Sequence, residues 1–320
     1  MRKYIKSIIK NIFFYYLRPE NNKLSKLIYN LNTDLNILDI GAAGGVQNKW
    51  KLIEKTLNVT CVEPNNAYKF KKNKFKSLDV IKKIFYSKPN EKKSLFITKN
   101  QLMSSIYKQN HSYTNKFIFG YTNEESFKVI KQIDLETTTV DDSFKNKNLD
   151  FIKIDAEGAH LDILKGSTNK LNDILGLEIE CEFFNYRKQH PLYHEVINFL
   201  EKFNFEFIDF LSIMRWERNK FRYTGQPQYA DILFLKQPES IVNDFNSNII
   251  SDKTLLKYII ILTVYNRSDF LNLIINQINK DFVKKNRLNE IRELTEKKVN
   301  RLNKFLHLKN LFKSIINNEI

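Results

Sequence analysis

ILDIGAAGG, residues 37–45, sets an apolar run containing one acid against a turn of five small residues. Ile37 to Ile40 reads as the end of a buried strand, starting at Asn36. Gly41, Ala42, Ala43, Gly44 and Gly45 form a corner where small side chains let backbone approach a ligand closely. Glu63 lies 24 residues beyond Asp39 (63 minus 39) and closes the next apolar run, Val59 to Glu63. A carboxylate there can accept hydrogen bonds from both ribose hydroxyls. The two motifs suit a nucleoside, and a nicotinamide dinucleotide shares the layout. Asp39 tips the balance, because a carboxylate beside the turn repels a pyrophosphate yet attracts the cationic aminocarboxypropyl end of S-adenosylmethionine.

Outward from this corner the chain alternates apolar strands with helical or irregular connections, the signature of a mostly parallel, doubly wound sheet. After Asn36–Ile40 and Val59–Glu63 the expected strands are Val80–Tyr86, Phe151–Ile154, Leu175–Phe183, Phe205–Leu211 and Ala230–Leu235. Helices are expected over Leu161–Leu171 and His194–Phe203. The last two strands have no helix between them and should form an antiparallel hairpin at the sheet edge. Between Leu95 and Gln132 lies a polar, Asn- and aromatic-rich stretch, read as a hairpin followed by a long insertion of the kind that shapes substrate pockets.

A second acidic corner follows the fourth strand. In DFIKIDAEG, residues 150–158, Asp155 and Glu157 fall at the carboxyl end of a central strand, where ligands bind in open α/β sheets. They could orient a hydroxyl, accept its proton, or hold a divalent cation with Glu180 or Glu182. The competing reading has Asp155 capping the next helix and Gly158 relieving a turn. Glu178, Glu180 and Glu182 alternate along one strand and so share a face, with at least the last reaching the ligand edge. His160 is read either as a proton acceptor near neutral pH or as a residue packed on the helix surface. His190 and His194 sit in a polar loop and read as solvated.

The phrases DIGAAGGVQNKW, VEPN, MSSIY, TTTVDD, DFIKIDAEGAHLDILKG, GLEIECEFF and YADILFLK, spread over Leu35 to Lys236, resemble those of the FkbM-type methyltransferases. The resemblance implies a Rossmann-like class I methyltransferase of seven strands, using S-adenosylmethionine to methylate hydroxyls of sugars and related glycans. It implies that Asp39, Gly41, Ala42 and Gly45 line the methionine end of the cofactor and that Glu63 holds the ribose. Ser104 and Ser105 match a serine pair of the family; Ser105 is counted with the cofactor residues, beside the alternative that both are turn residues. His160 stands where the family usually has an acid, which leaves the general base open among Asp155, Glu157, His160 and Glu182. A nicotinamide-dependent oxidoreductase and a catalytically silent scaffold are the alternatives.

The ends and the composition add bounds. Residues 1–18 place Ile5, Ile8, Ile9, Ile12 and Tyr16 at helical spacing among Arg2, Lys3, Lys6, Lys10 and Arg18. This is a basic amphipathic helix, suited either to packing on the protein or to peripheral contact with an anionic membrane. Residues 1–34 form this lead-in, 35–238 the catalytic domain and 239–320 a helical appendage, in which YIIILTVYNRSD (258–269) reads as helix, turn and helix. The net charge of +16 is spread along a Lys- and Asn-rich chain, with no finger spacing and no paired aromatic signature, so no nucleic-acid partner is expected. The two cysteines, Cys61 and Cys181, sit in apolar strands rather than a disulfide framework, and no apolar run is long enough to span a bilayer. A cytoplasmic protein is expected.

Overall fold

The computed structural model describes residues 19–65, 75–117, 124–218 and 225–318. The expected basic helix over residues 1–18 lies outside them. Contacts divide the chain into two compact units, residues 35–47 with 57–237, and residues 1–34 with 48–56 and 238–320.

The first unit is built on a seven-stranded sheet. Its strands are β1 (Leu35–Ile40), β2 (Leu57–Val62), β3 (Ser77–Ile81), β7 (Phe151–Ile154), β8 (Gly176–Glu182), β9 (Phe205–Trp216) and β10 (Gln226–Lys236), in the order β3-β2-β1-β7-β8-β10-β9. Neighbours from β3 to β8 pair in parallel, while β10 runs antiparallel to both β8 and β9. The expected edge hairpin is therefore present. β1 and β7 are apolar with isolated polar interruptions, because a parallel sheet is covered on both faces and alternation is lost, whereas β8 alternates and sets Glu178, Glu180 and Glu182 on one face. Leu38, Ile152, Ile154, Leu177 and Ile179 meet in one buried cluster beneath the helices His160–Lys165 and Tyr193–Leu200. Strand order reverses between β1 and β7, so two corners open side by side at that point.

A second sheet carries β4 (Ile84–Phe85), β5 (Lys92–Thr98) and β6 (Val129–Thr138), in the order β4-β6-β5. Two expectations change here. Val80–Tyr86 is not one strand: β3 pairs with β2 and β4 with β6, and the exposed Lys82 and Lys83 carry the chain from one sheet to the other. The insertion also lies inside a hairpin rather than after it, since β5 pairs antiparallel with β6 across it. Phe117, Phe127, Phe184, Tyr186 and Trp216 form a separate aromatic core that ties the insertion to the segment after β8.

The helix expected over Leu161–Leu171 is two helices, His160–Lys165 and Lys170–Asp173. Gly166 ends the first, packed so closely on Tyr86 that a Cβ would sit 2.1 Å from its carbonyl oxygen. The Asp141 carboxylate starts the second, accepting from the backbone N–H groups of Asn169 and Lys170, each at 3.0 Å.

The other unit is helical after Pro238, with helices Pro238–Asn246, Asp252–Val264, Ser268–Gln277, Lys280–Lys285 and Leu288–Asn318. The helix that follows the turn within 258–269 ends at Gln277, where Ile278 is extended and the Asn279 side chain caps a new helix by accepting from Asp281 and Phe282 N–H. Trp50 meets Tyr265 edge-on at 5.8 Å, and Arg301 reaches Glu20 at 2.9 Å. No helix among the described residues is long and apolar enough to cross a membrane. Cys61 and Cys181 are free and buried.

Candidate active site

The corners after β1 and β7 lean on one another. Gly41 takes a left-handed conformation (φ 81°), its N–H donates to Val62 O at 3.0 Å, and a Cβ would stand 1.8 Å from the Asp155 carbonyl oxygen. Only glycine fits there, on both conformational and steric grounds. Replacing it, as Gly41→Ala, is expected to cost about 3 kcal/mol or more by urea unfolding, since the methyl group must push the two strand ends apart. A loss below about 1 kcal/mol would show that the corners do not support one another.

Gly41, Ala43 and Gly44 line a cavity of about 320 Å³ together with Glu63, Ser105, Asp155, Glu157 and Glu180. Of the residues expected at the methionine end of a cofactor, Ala42 is buried in the core and Gly45, also at positive φ, does not line this space. Glu63 closes β2 on the cavity; its Oε1 accepts from Asn65 N–H at 2.8 Å, and burial raises its carboxyl above the usual range, opposed by that bond.

Asp39 does not line this space. Its side chain is only 3% exposed and lies 3.6 Å from the Lys153 ammonium, which also donates to Asp155 at 2.9 Å. Burial pushes the Asp39 carboxyl up to about 6 against the pull of Lys153. Burial alone would lower the lysine, but Asp155 and Asp39 outweigh it and hold it charged. Asp155 therefore does not cap the helix His160–Lys165, whose N-terminus has no side-chain cap; it serves as an ion-pair partner.

Glu157 adopts a left-handed backbone (φ 49°), unusual for a residue with a Cβ. Its carboxylate takes the Arg187 guanidinium and the Tyr186 hydroxyl, and its carbonyl accepts from the Ser105 hydroxyl at 2.6 Å. Ser105 is thus a fastener for Glu157, and Ser104 ties its own turn by donating to Gln101 O at 2.8 Å. Burial raises the carboxyls of Glu157 and Glu180, Arg187 opposing the rise in Glu157 and neighbouring carboxylates reinforcing it in Glu180. Asp155, Glu157 and Glu180 offer ligand atoms within 4.8 Å of one another.

Glu182 and His160 sit elsewhere. Both are buried, with His160 Nδ1 3.2 Å and His190 Nδ1 3.9 Å from Glu182 Oε2, and none of the three lines the cavity. Burial pushes His160 down to about 3 and His190 down to about 4, and Glu182 up to about 8, so the imidazoles are neutral at physiological pH. His160 is therefore neither a helix-surface residue nor placed to take a proton from a molecule in the cavity. His190 is enclosed rather than solvated, while His194 is exposed.

Lys153 and Arg187 escaped the sequence reading. Lys153 had a signal, a lone cation at a buried position of FIKI between two acid-bearing corners. Arg187 had none, because only the fold brings it to Glu157, 30 residues away in sequence.

A model of the methyltransferase FkbM domain matches residues 39–207, more than half of the chain. Comparison with curated proteins finds no significant match. Among solved structures, a candidate tRNA (m1A22) methyltransferase from Streptococcus pneumoniae aligns at 10% identity with a TM-score of 0.29, over 86% of this chain and 97% of its own. A likeness that loose carries no weight for fold or function.

Proposed function

The chain belongs to the FkbM-domain methyltransferase family, and on that premise we propose that it transfers a methyl group from S-adenosylmethionine to a hydroxyl of a sugar or glycan. One observation carries the reading: Glu63, Asp155, Glu157 and Glu180 face a single cavity at the point where strand order reverses. A dinucleotide would bring a pyrophosphate to this wall of carboxylates. S-adenosylmethionine brings a sulfonium and an ammonium, which the same wall attracts. Glu63 accepts the ribose hydroxyls, Gly41 and Gly44 let the backbone approach, and Asp39 adds negative potential from behind its ion pair with Lys153.

Methyl transfer from a sulfonium is an in-line displacement in which the acceptor oxygen gains the methyl group, sulfur keeps the bonding electrons, and the hydroxyl proton must leave. Glu157, fixed by Arg187 and Ser105, orients the hydroxyl. Glu180 takes the proton, because burial and its acidic neighbours raise its proton affinity.

The test is incubation of the full chain with methyl-labelled S-adenosylmethionine and surface polysaccharides extracted from the source organism. Label recovered as an alkali-stable methyl ether on a sugar supports the proposal. Label confined to protein or nucleic acid, or no transfer, overturns the assignment of substrate.

The same assay addresses a metal. Asp155, Glu157 and Glu180 are close enough to share a divalent ion, but two of them are already compensated, by Lys153 and by Arg187. Chelation with EDTA is therefore expected to leave turnover unchanged within about twofold, since two of the three carboxylates already have cationic partners. A tenfold loss restored by magnesium would transfer these carboxylates to a metal site.

A further inference from the structure

A second, larger cavity of about 710 Å³ has the opposite electrostatic character. Its lining includes Lys108, Lys128, Lys188 and Arg187, with Phe96 and Tyr107 as aromatic walls. The acid that also lines it, Glu125, is paired with Lys99 at 3.0 Å. The lysines are held together by the fold: Lys188 N–H donates to Lys108 O at 2.7 Å, and Gln109 and Arg187 form an isolated β-bridge beside them. Two segments some 80 residues apart thus bring the exposed Lys108 and Lys188 to one side of the cavity, where together with Lys128 they offer an anion several cations at once.

A chain with 52 Lys and Arg against 36 Asp and Glu has lysines everywhere, so basic lining alone would mean little. The contrast is what counts. The neighbouring cavity carries Glu63, Asp155, Glu157 and Glu180 against Lys83, and general lysine richness does not produce one acidic and one basic cavity. The two meet at one ion pair, Glu157 lining the first and Arg187 the second. Arg187 is buried, and its Nε has no hydrogen-bond partner among the described residues.

We propose that the basic cavity seats an anionic group of the methyl acceptor, a phosphate or a carboxylate, on Lys108, Lys128 and Lys188, with an attached ring against Phe96 and Tyr107. The inference rests on the proposed methyl transfer in taking its ligand to be the acceptor. It accounts for the division of labour: a cationic cofactor in the acidic cavity, an anionic acceptor in the basic one, and the Glu157–Arg187 pair between them.

The experiment is calorimetric titration of the full chain, loaded with S-adenosylhomocysteine, with inorganic pyrophosphate, glucuronate and glucose. Pyrophosphate or glucuronate is expected to bind saturably, whichever is tighter identifying the anionic group, and glucose to bind at least about tenfold more weakly. The double variant Lys108→Gln/Lys188→Gln should weaken the anion by about tenfold or more, whereas Lys280→Gln/Lys284→Gln, equal in charge removed, should leave it unchanged within about twofold. Circular dichroism confirms that both variants are folded. Equal losses in the two variants, or no saturable binding of either anion, overturn the inference. If S-adenosylhomocysteine binds and the anions do not, only this inference falls; if it fails to bind, the cofactor reading falls instead.

Discussion

Replacing Lys153 with methionine is expected to destabilise the protein by about 3–5 kcal/mol at about pH 8, the cost of leaving buried charge without its partner. Methionine keeps the length and the apolar stem, so packing along β7 is preserved and the loss reports charge. Asp39, 3% exposed, would lose its Lys153 partner, and Asp155 would lose its bond at 2.9 Å. The pH dependence separates this account from a packing effect. With Lys153 present the Asp39 carboxyl already stands at about 6; without it the carboxyl must rise further above the value of about 3.9 that it has in the unfolded chain. A carboxyl raised in the folded state costs nothing below its unfolded value, costs more as pH climbs from there, and reaches its full penalty above its folded value, so wild type and variant diverge only above about 6, where the wild-type penalty stops growing. The gap between wild type and variant should therefore fall by at least about half on going from about pH 8 to about pH 5 in urea unfolding. A gap that stays constant would mean that Lys153 contributes only through its stem.

Arg187→Met should reduce kcat by about 100-fold while changing the affinity for S-adenosylmethionine by no more than about threefold, because Arg187 acts on Glu157 and not on the cofactor. The guanidinium bonds to the Glu157 carboxylate and to Met103 O, and its Cζ lies 5.0 Å from the centre of the Tyr186 ring. Without it Glu157, in a left-handed backbone, has among the described residues only the Tyr186 hydroxyl at 3.3 Å to fix its carboxylate. A purely structural role would lower stability and leave the pH profile in place. A positioning role also moves the profile: removing a cation disfavours the charged form of Glu157, so the acid limb of kcat/KM should shift upward by about one pH unit. Arg187→Lys restores the charge but not the fork that spans carboxylate and carbonyl, and should recover the pH profile better than the rate. An unmoved acid limb in Arg187→Met would remove Arg187 from the positioning of Glu157.

The parallel part of the fold was legible because doubly covered strands announce themselves as short apolar runs, LNILDI, LNVTCV and FIKI, and because GLEIECE alternates as a strand does; all four are strands of the sheet. The strand Val80–Tyr86 misled for the same reason, since β3 and β4 are both apolar and only tertiary pairing assigns them to different sheets. Helix breaks were missed where the cause is distant in sequence, as with Tyr86 O against Gly166 and the Asp141 carboxylate on Asn169 and Lys170. The candidate site divides likewise. Gly41, Glu63, Asp155 and Glu157 follow from the position of a strand end, which local sequence encodes. Their partners do not: Lys153 looked like one more lysine, and Arg187 lies in a segment held by the aromatic core. The alternation of Glu178, Glu180 and Glu182 was read correctly as one face, but which of them meets open space depends on what covers that face. Glu180 lines the cavity, whereas Glu182 is enclosed with His160 and His190.

The central claim is that the acidic cavity holds S-adenosylmethionine. It is tested most directly by calorimetric titration of the full chain with S-adenosylmethionine and, in parallel, with oxidised nicotinamide adenine dinucleotide, repeated on Glu63→Ala. The account predicts saturable one-to-one binding of S-adenosylmethionine, weakened by at least about tenfold in Glu63→Ala as a charge-assisted bond to the ribose is lost, and no displacement of it by the dinucleotide. Binding of the dinucleotide in its place, or an affinity for S-adenosylmethionine that Glu63→Ala leaves unchanged, would contradict it.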